Sequence, residues 1–243
     1  MTVNSIPPFQ TTFAVPLTCE SCVKDVSKSL YALPGIVNVT GDVSSGLVHI
    51  TGTAAPSSIV SAIQSTGRDA ILRGSGRPDS AAVCILETHT SRSDVGEKVR
   101  GLVRMVQVAD ELTIFDVAIR GLSEGTYDAT IRNNGNISYG AESTGSIWDA
   151  EGKGRGVLGT LSINKGGVGS VFLDKPVAIW ELIGRSIVVA KQGKITFNKE
   201  DPDELVGVIA RSAGVWENDK TVCSCSGKTV WEERVEQQGR GML

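Results

Sequence analysis

The sequence predicts an α+β protein: a ferredoxin-like βαββαβ unit in residues 1–75, then a strand-rich sandwich or flattened barrel, then a flexible carboxyl-terminal tail. Three observations lead there. Strand and helix patterns alternate up to residue 73. From residue 81 the helix signals disappear, and short apolar runs follow one another between glycine-rich connections. The composition, 28 glycines with 5% aromatic and 21% charged residues in 243, is rich in turns and poor in long helical charge ladders, which excludes a helical bundle or coiled coil.

Taken in order, TTFAVP (11–16) reads as a short strand. The helix that follows, in CESCVKDVSKSLYALP, carries Val23, Val26, Leu30 and Leu33 on one face and stops at Pro34-Gly35. IVNVT (36–40) and GLVHIT (46–51) are two strands around a turn with Gly41, Asp42 and Gly46. A second helix begins after Pro56, with Ser57 and Ser58 available as caps and Ile59, Ala62 and Ile63 facing inward, and AILR (70–73) closes a unit of about 65 residues. GSGRPDS (74–80) reads as a linker. Beyond it AAVCILE, VRGLVRMVQVA, LTIFDVAI, GTYDATIR, GSVFLD, RSIVVA and LVGVIA give seven or eight strands. From Thr221 onward a charged stretch without a core reads as tail. The expected divisions are 1–75, 76–220 and 221–243.

Twenty-four basic and 27 acidic residues, net charge −3, leave no surplus of positive charge for nucleic acid. Two histidines, His49 and His89, exclude a site built from three imidazoles, and both read as solvated or structural. The amino terminus has no secretory pattern and no run of about 18 apolar residues occurs, so a soluble cytoplasmic protein without stable membrane insertion is expected. Four of five cysteines are paired in sequence, as Cys19-x-x-Cys22 and Cys223-x-Cys225, a pattern that in a reducing compartment means metal binding or redox chemistry. Cys84, within AAVCILE, reads as a buried core residue.

Cys19 and Cys22 fall where a strand ends and a helix begins, and the positive end of the helix dipole there favours thiolates. Two soft sulfurs on an open loop, without a neighbouring His in sequence, suit Cu(I) better than zinc, which takes four ligands. Thioredoxin-like redox sites share the CxxC spacing, and a copper-independent thiol-disulfide oxidoreductase relaying electrons between two dithiols stays open at this point, as does a structural zinc held by all four thiolates.

The LTCESC loop in a βαββαβ unit resembles the heavy-metal-associated domain of copper chaperones and copper-pumping ATPases, with Leu17 standing where that family has methionine. The resemblance implies a basic residue on the facing loop to balance a dithiolate-copper centre. Arg68, after Gly67, occupies that place; the alternative is an ordinary solvated loop charge. Residues 81–214 resemble copper/zinc superoxide dismutase, a Greek-key barrel, in AAVCILE, IGRSIVVA and GVIA, but depart from it at the chemistry. Asp128 and Thr130 stand at the first His-x-His ligands, Ile147 at the bridging histidine, Ala190 at a further histidine, Asp203 at the guiding arginine, and Ala141 and Val206 at the internal disulfide. No zinc site and no dismutase activity are expected.

The segment KTVCSCSGKTVWEER resembles the CxC tail of the copper chaperones for superoxide dismutase, and all three parts occur in that order in this family, whose fungal members the chain resembles. The resemblance implies a metallochaperone that delivers Cu(I) to copper/zinc superoxide dismutase through a heterodimer and promotes its intrasubunit disulfide. It implies Cys19 and Cys22 as copper ligands, and Cys223 and Cys225 for thiol-disulfide exchange, copper transfer or both. A homodimer is expected when no target is present, with GVIARSAG (207–214) in the contact. A pool in the mitochondrial intermembrane space stays open.

Overall fold

The computed structural model describes residues 6–214, except 78, 94, 150, 151 and 153, together with 228–229, 231–232 and 235–236. Cys223 and Cys225, and most of the expected tail, lie outside the described residues.

The first unit follows the order β1 (Phe9–Ala14), α1 (Glu20–Tyr31), β2 (Ile36–Asp42), β3 (Leu47–Gly52), α2 (Pro56–Gln64) and β4 (Ile71–Ser75), and its antiparallel sheet runs β2-β3-β1-β4. Alternation decides the sheet face: Val48 and Ile50 turn inward while their neighbours do not. The helices supply Cys22, Val26, Leu30, Ile59 and Ile63, which pack with Phe13, Val15, Leu17 and Ala70 into one core. Ser57 and Ser58 do not cap α2. Its first turn starts from Ala55 with Pro56 at the opening position and no side-chain cap of its own. The expected linker is shorter than GSGRPDS, because Gly74 and Ser75 pair with Thr12 and Thr11 as the end of β4.

The second unit comprises β5 (Ala81–Glu87), β6 (Val99–Ala109), β7 (Leu112–Ile119), β8 (Gly125–Arg132), β9 (Val157–Ile163), β10 (Gly169–Lys175), β11 (Ser186–Lys191) and β12 (Leu205–Ser212). They form a near-closed antiparallel barrel in the order β10-β7-β6-β5-β12-β11-β8-β9, with β7 to β8 and β10 to β11 joining strands that are not neighbours, as in a Greek key. β9 was not among the strands read from the sequence, and two short helical pieces, a 3₁₀ turn at Gly140–Thr144 and α3 at Ile179–Leu182, interrupt the stretch without helix signals. Inside the barrel Cys84, Leu86, Val103, Met105, Phe115, Tyr127, Ile131 and Val189 form the core. No helix among the described residues is long and apolar enough to cross a membrane.

The two units touch through Phe9 of β1, which packs with Val106 and Ile114 on the outside of the barrel. Ser57 adds two hydrogen bonds to Asp116 of β7.

Candidate metal centre

β1 delivers the chain into a short loop that ends at Cys19, whose extended backbone (φ −164°, ψ 170°) makes it the residue preceding α1. Cys22 follows within the first turn, its N–H donating to the Cys19 carbonyl at 3.0 Å. The helix entry turns both side chains the same way, and the two Sγ atoms stand 3.7 Å apart. Cys19 is exposed and Cys22 is buried, so the pair straddles the surface. Leu17, in the methionine position of the resembling family, is buried in the same core as Cys22 and anchors the loop from below.

Thr18 and Arg68 complete the site. The Thr18 hydroxyl lies 3.3 Å from Cys22 Sγ. Hydrogen bonds from the Thr18 side chain and backbone are the largest cause that brings the Cys22 thiol down to about 6, Arg68 and Cys19 contribute further, and burial opposes them. Thr18 was not singled out from the sequence; a hydroxyl residue directly before a helix-starting cysteine is the signal that could have found it. Arg68 enters from the loop after α2, where Gly67 takes φ +78°. Its guanidinium faces Cys22, donates to the Thr66 carbonyl at 3.1 Å and meets Asp25 at 3.5 Å. A cation therefore faces the thiolate, and the Asp25 carboxylate of α1 stands behind the cation. Two sulfurs, one already inclined to ionise, on an accessible loop with a positive neighbour can hold a soft metal ion.

The barrel positions behave differently. Asp128 accepts the Gly193 N–H at 2.9 Å and faces Ala190 across the β8–β11 pair. Thr130 is buried and donates to the Val188 carbonyl at 3.5 Å, and Ile147 bridges to Arg132. Ala190 joins Ala141, Val188 and Val206 in a buried apolar cluster closed by Ile137 and Phe197, with the Arg132 guanidinium 5.1 Å from the Phe197 ring centre. Ala141 and Val206, the two disulfide positions, thus meet as methyl groups. Asp203 is bound to the Ser123 N–H at 3.0 Å and to Lys191 at 3.0 Å; burial works to raise its pKa, but these partners outweigh it and leave the carboxyl below its ordinary value. No cluster of three or more His, Cys, Asp and Glu side chains arranged to hold a metal occurs among the described residues.

His49 sits on β3 with Nδ1 3.0 Å from the Thr12 hydroxyl, and burial lowers its pKa. His89 is half-buried beside Gly140. Cys84 is fully buried in the barrel, and burial pushes its thiol up to about 12. The thiol pair and Arg68 are brought together, and neither histidine joins them.

Residues 12–69 match the heavy-metal-associated domain family. The chain is 46% identical over 228 residues to the superoxide dismutase 1 copper chaperone of Kluyveromyces lactis, covering 93% of each protein. It is 41% identical over 244 residues to the protein of that name from Saccharomyces cerevisiae, covering 96% of each. To the copper chaperone for superoxide dismutase of Mus musculus it is 32% identical over 257 residues, covering 94% of this chain and 91% of that one.

Proposed function

The chain belongs to the family of copper chaperones for superoxide dismutase, and from that membership we propose that Cys19 and Cys22 carry copper as Cu(I) while the barrel docks on a copper/zinc superoxide dismutase subunit. The observation that carries this reading is the thiol pair itself, 3.7 Å apart at a helix start with Thr18 and Arg68 at Cys22. Copper is cargo here. A two-coordinate soft cation on a surface loop can be passed to an incoming thiolate or imidazole without dismantling a core. Arg68 offsets the charge of the dithiolate complex while copper is held.

The barrel is a recognition surface in this reading, without zinc or copper of its own. Asp128, Thr130, Ile147 and Ala190 cannot replace four imidazoles, which supports a chaperone and not a dismutase. The first unit packs on β6 and β7 of the barrel through Phe9 and Ser57. On β5 Ile85 is 54% exposed, and Ala210 of β12 is exposed too. Trp180 of α3 is 71% exposed on a turn held by paired hydrogen bonds from Arg155 to Glu181. An apolar strip that fits a dismutase subunit also fits a second copy of itself, so a homodimer forms when no target is present. Cytoplasmic residence belongs to the same proposal.

Cys223 and Cys225 are assigned thiol-disulfide exchange on the target. An oxidised pair passes its disulfide to two target thiols, which lose two electrons and two protons as the tail returns to its dithiol. With one residue between the cysteines such a disulfide closes a small ring and is a ready donor.

Anaerobic Cu(I) titration tests the site. In a full chain carrying Cys223→Ser and Cys225→Ser, tight uptake of copper is expected, and it is lost when Cys19→Ser and Cys22→Ser are added. Unchanged stoichiometry in that fourfold variant contradicts the assignment, and reductase turnover without copper supports the oxidoreductase instead.

A further inference from the structure

α2 has no cap from its own segment, yet its first turn is not bare. Asp116, on β7 of the barrel and 59 residues away, accepts the Ser57 N–H on Oδ2 at 2.8 Å and the Ser57 hydroxyl on Oδ1 at 2.6 Å. The carboxylate is 2% exposed, and Arg104 of β6 approaches Oδ2 at 3.4 Å. A negative group at a helix N-terminus is favoured by the helix dipole and by the unpaired amides. Here the two partners belong to different units, so the cap is also a clasp. Phe9, buried against Val106 and Ile114, seals the same junction.

The clasp stands at one end of two struts whose other ends carry the thiol site. α2 runs nine residues, about 13 Å at a helical rise, from Ser57's turn toward the loop that delivers Arg68 to Cys22. β1 runs six residues, about 20 Å, from Phe9 in the junction toward the Cys19 loop. On the barrel side Asp116 pairs with Arg104, Arg104 with Val83 and Val83 with Ala210, a single row across four strands on one face of the sheet. The proposed docking strip therefore begins two strands, about 10 Å, from the clasp.

We propose that Asp116 is a positioning residue for copper delivery: by capping α2 from the barrel it fixes where the Cys19–Cys22 loop stands relative to a target docked on the β5–β12 face. The proposal rests on the chaperone reading above. Asp116 touches neither copper nor target. It sets the geometry in which the loaded loop meets the docked partner, so its loss affects the transfer step after docking and not the affinity of either binding event.

The test uses the full chain with Asp116→Asn, which is isosteric but cannot accept both Ser57 donors, and with Ser57→Ala, which leaves the barrel untouched. Three quantities are compared with wild type: Cu(I) affinity by competition, affinity for copper-free dismutase, and the first-order rate of dismutase activation at saturating chaperone. Dyes placed by non-thiol chemistry at exposed Val37 and Val168 report the spread of distances between the two units. Both affinities are expected to stay within about twofold. The transfer rate falls about tenfold for Asp116→Asn and less for Ser57→Ala, and the distance distribution broadens in the same order. A narrow distribution and a wild-type transfer rate in both variants overturn the clasp. Losses of copper or target affinity as large as the loss of rate also overturn it, because they mark a merely structural role. If wild type itself loads copper and docks but never activates the dismutase, the delivery reading fails, and this proposal fails with it.

Discussion

The thiol end of the ferredoxin-like unit and the metal-like end of the barrel are built from opposite uses of the core. In the first, Leu17 and Cys22 are packed from below while Cys19 stays exposed, so the chemistry sits on the core's rim. In the second, the positions that resemble a dismutase's ligands and internal disulfide have joined the structure itself. Ala190, Ala141 and Val206 are methyl-bearing members of a buried cluster, Thr130 is tied to the Val188 carbonyl, and Asp128 holds the Gly193 amide. A site on a rim can be emptied and filled without cost to the fold. A site absorbed into packing cannot be restored by supplying metal.

The sharpest break in the comparison comes from the rim. Cys19→Ser, at the exposed sulfur, is expected to lower Cu(I) affinity by more than about 100-fold, beyond the usual loss from an outer hydrogen-bonding partner, while urea unfolding moves by under about 0.5 kcal/mol. A large stability loss with affinity retained would place Cys19 in the scaffold.

The converse substitution addresses the barrel. Ala190→His inserts an imidazole where the side chain is 4% exposed among Val188, Val206 and Phe197, and overpacking is expected to destabilise the chain by about 1–3 kcal/mol in urea unfolding. With Asp128→His, Thr130→His and Ile147→His added, dismutase activity stays absent after copper and zinc are supplied. Activity in that variant would show that the barrel keeps a latent site.

Much of this was legible in the sequence, for reasons that differ by residue. Val26, Leu30, Ile59 and Ile63 follow the helical period and are buried as expected. β9 escaped because its alternation breaks: Leu158, Leu161 and Ile163 turn inward, but a register shift opposite Ala129 and Thr130, with Gly159 at φ +139°, sets Leu158 and Leu161 three residues apart. Four residues of α3 are too few to show a period. The thiol pair was visible as spacing, yet Thr18's part depends on where the loop turns its hydroxyl. Ser57 looked like a cap because local sequence offers only local partners; its acceptor, Asp116, arrives from another unit.

Thiol titration sharpens the contrast between rim and core at smaller amplitude. With the Cys22 thiol held down at about 6, its thiolate prevails above that pH and is lost as pH falls through it. Alkylation of Cys22 is expected to slow by about tenfold between pH 7 and pH 5. Cys84, pushed up to about 12 by burial, stays unmodified across that range until the barrel unfolds, and mass-spectrometric mapping of both residues checks the pair. Labelling of Cys84 at the rate of Cys22 would mean that the barrel core is open.

The smallest effect belongs to Thr18→Val, which keeps the side-chain shape and removes the hydroxyl beside Cys22 Sγ. The midpoint of Cys22 alkylation should move upward while unfolding is little changed, because the Thr18 backbone contribution and Arg68 remain. An unchanged midpoint would transfer the main role to Arg68.

The division of labour itself is tested most directly by mixing copper-loaded full-length protein with copper-free, disulfide-reduced superoxide dismutase and following activation beside two variants. Cys19→Ser with Cys22→Ser is expected to dock and activate nothing. Ile85→Glu, which puts a charge into the exposed strip on β5, is expected to load copper normally and activate nothing. Only the wild-type chain, with both the rim site and the docking face, delivers copper. Activation at the wild-type rate by either variant would contradict the account, since one region would then suffice for what is assigned to two.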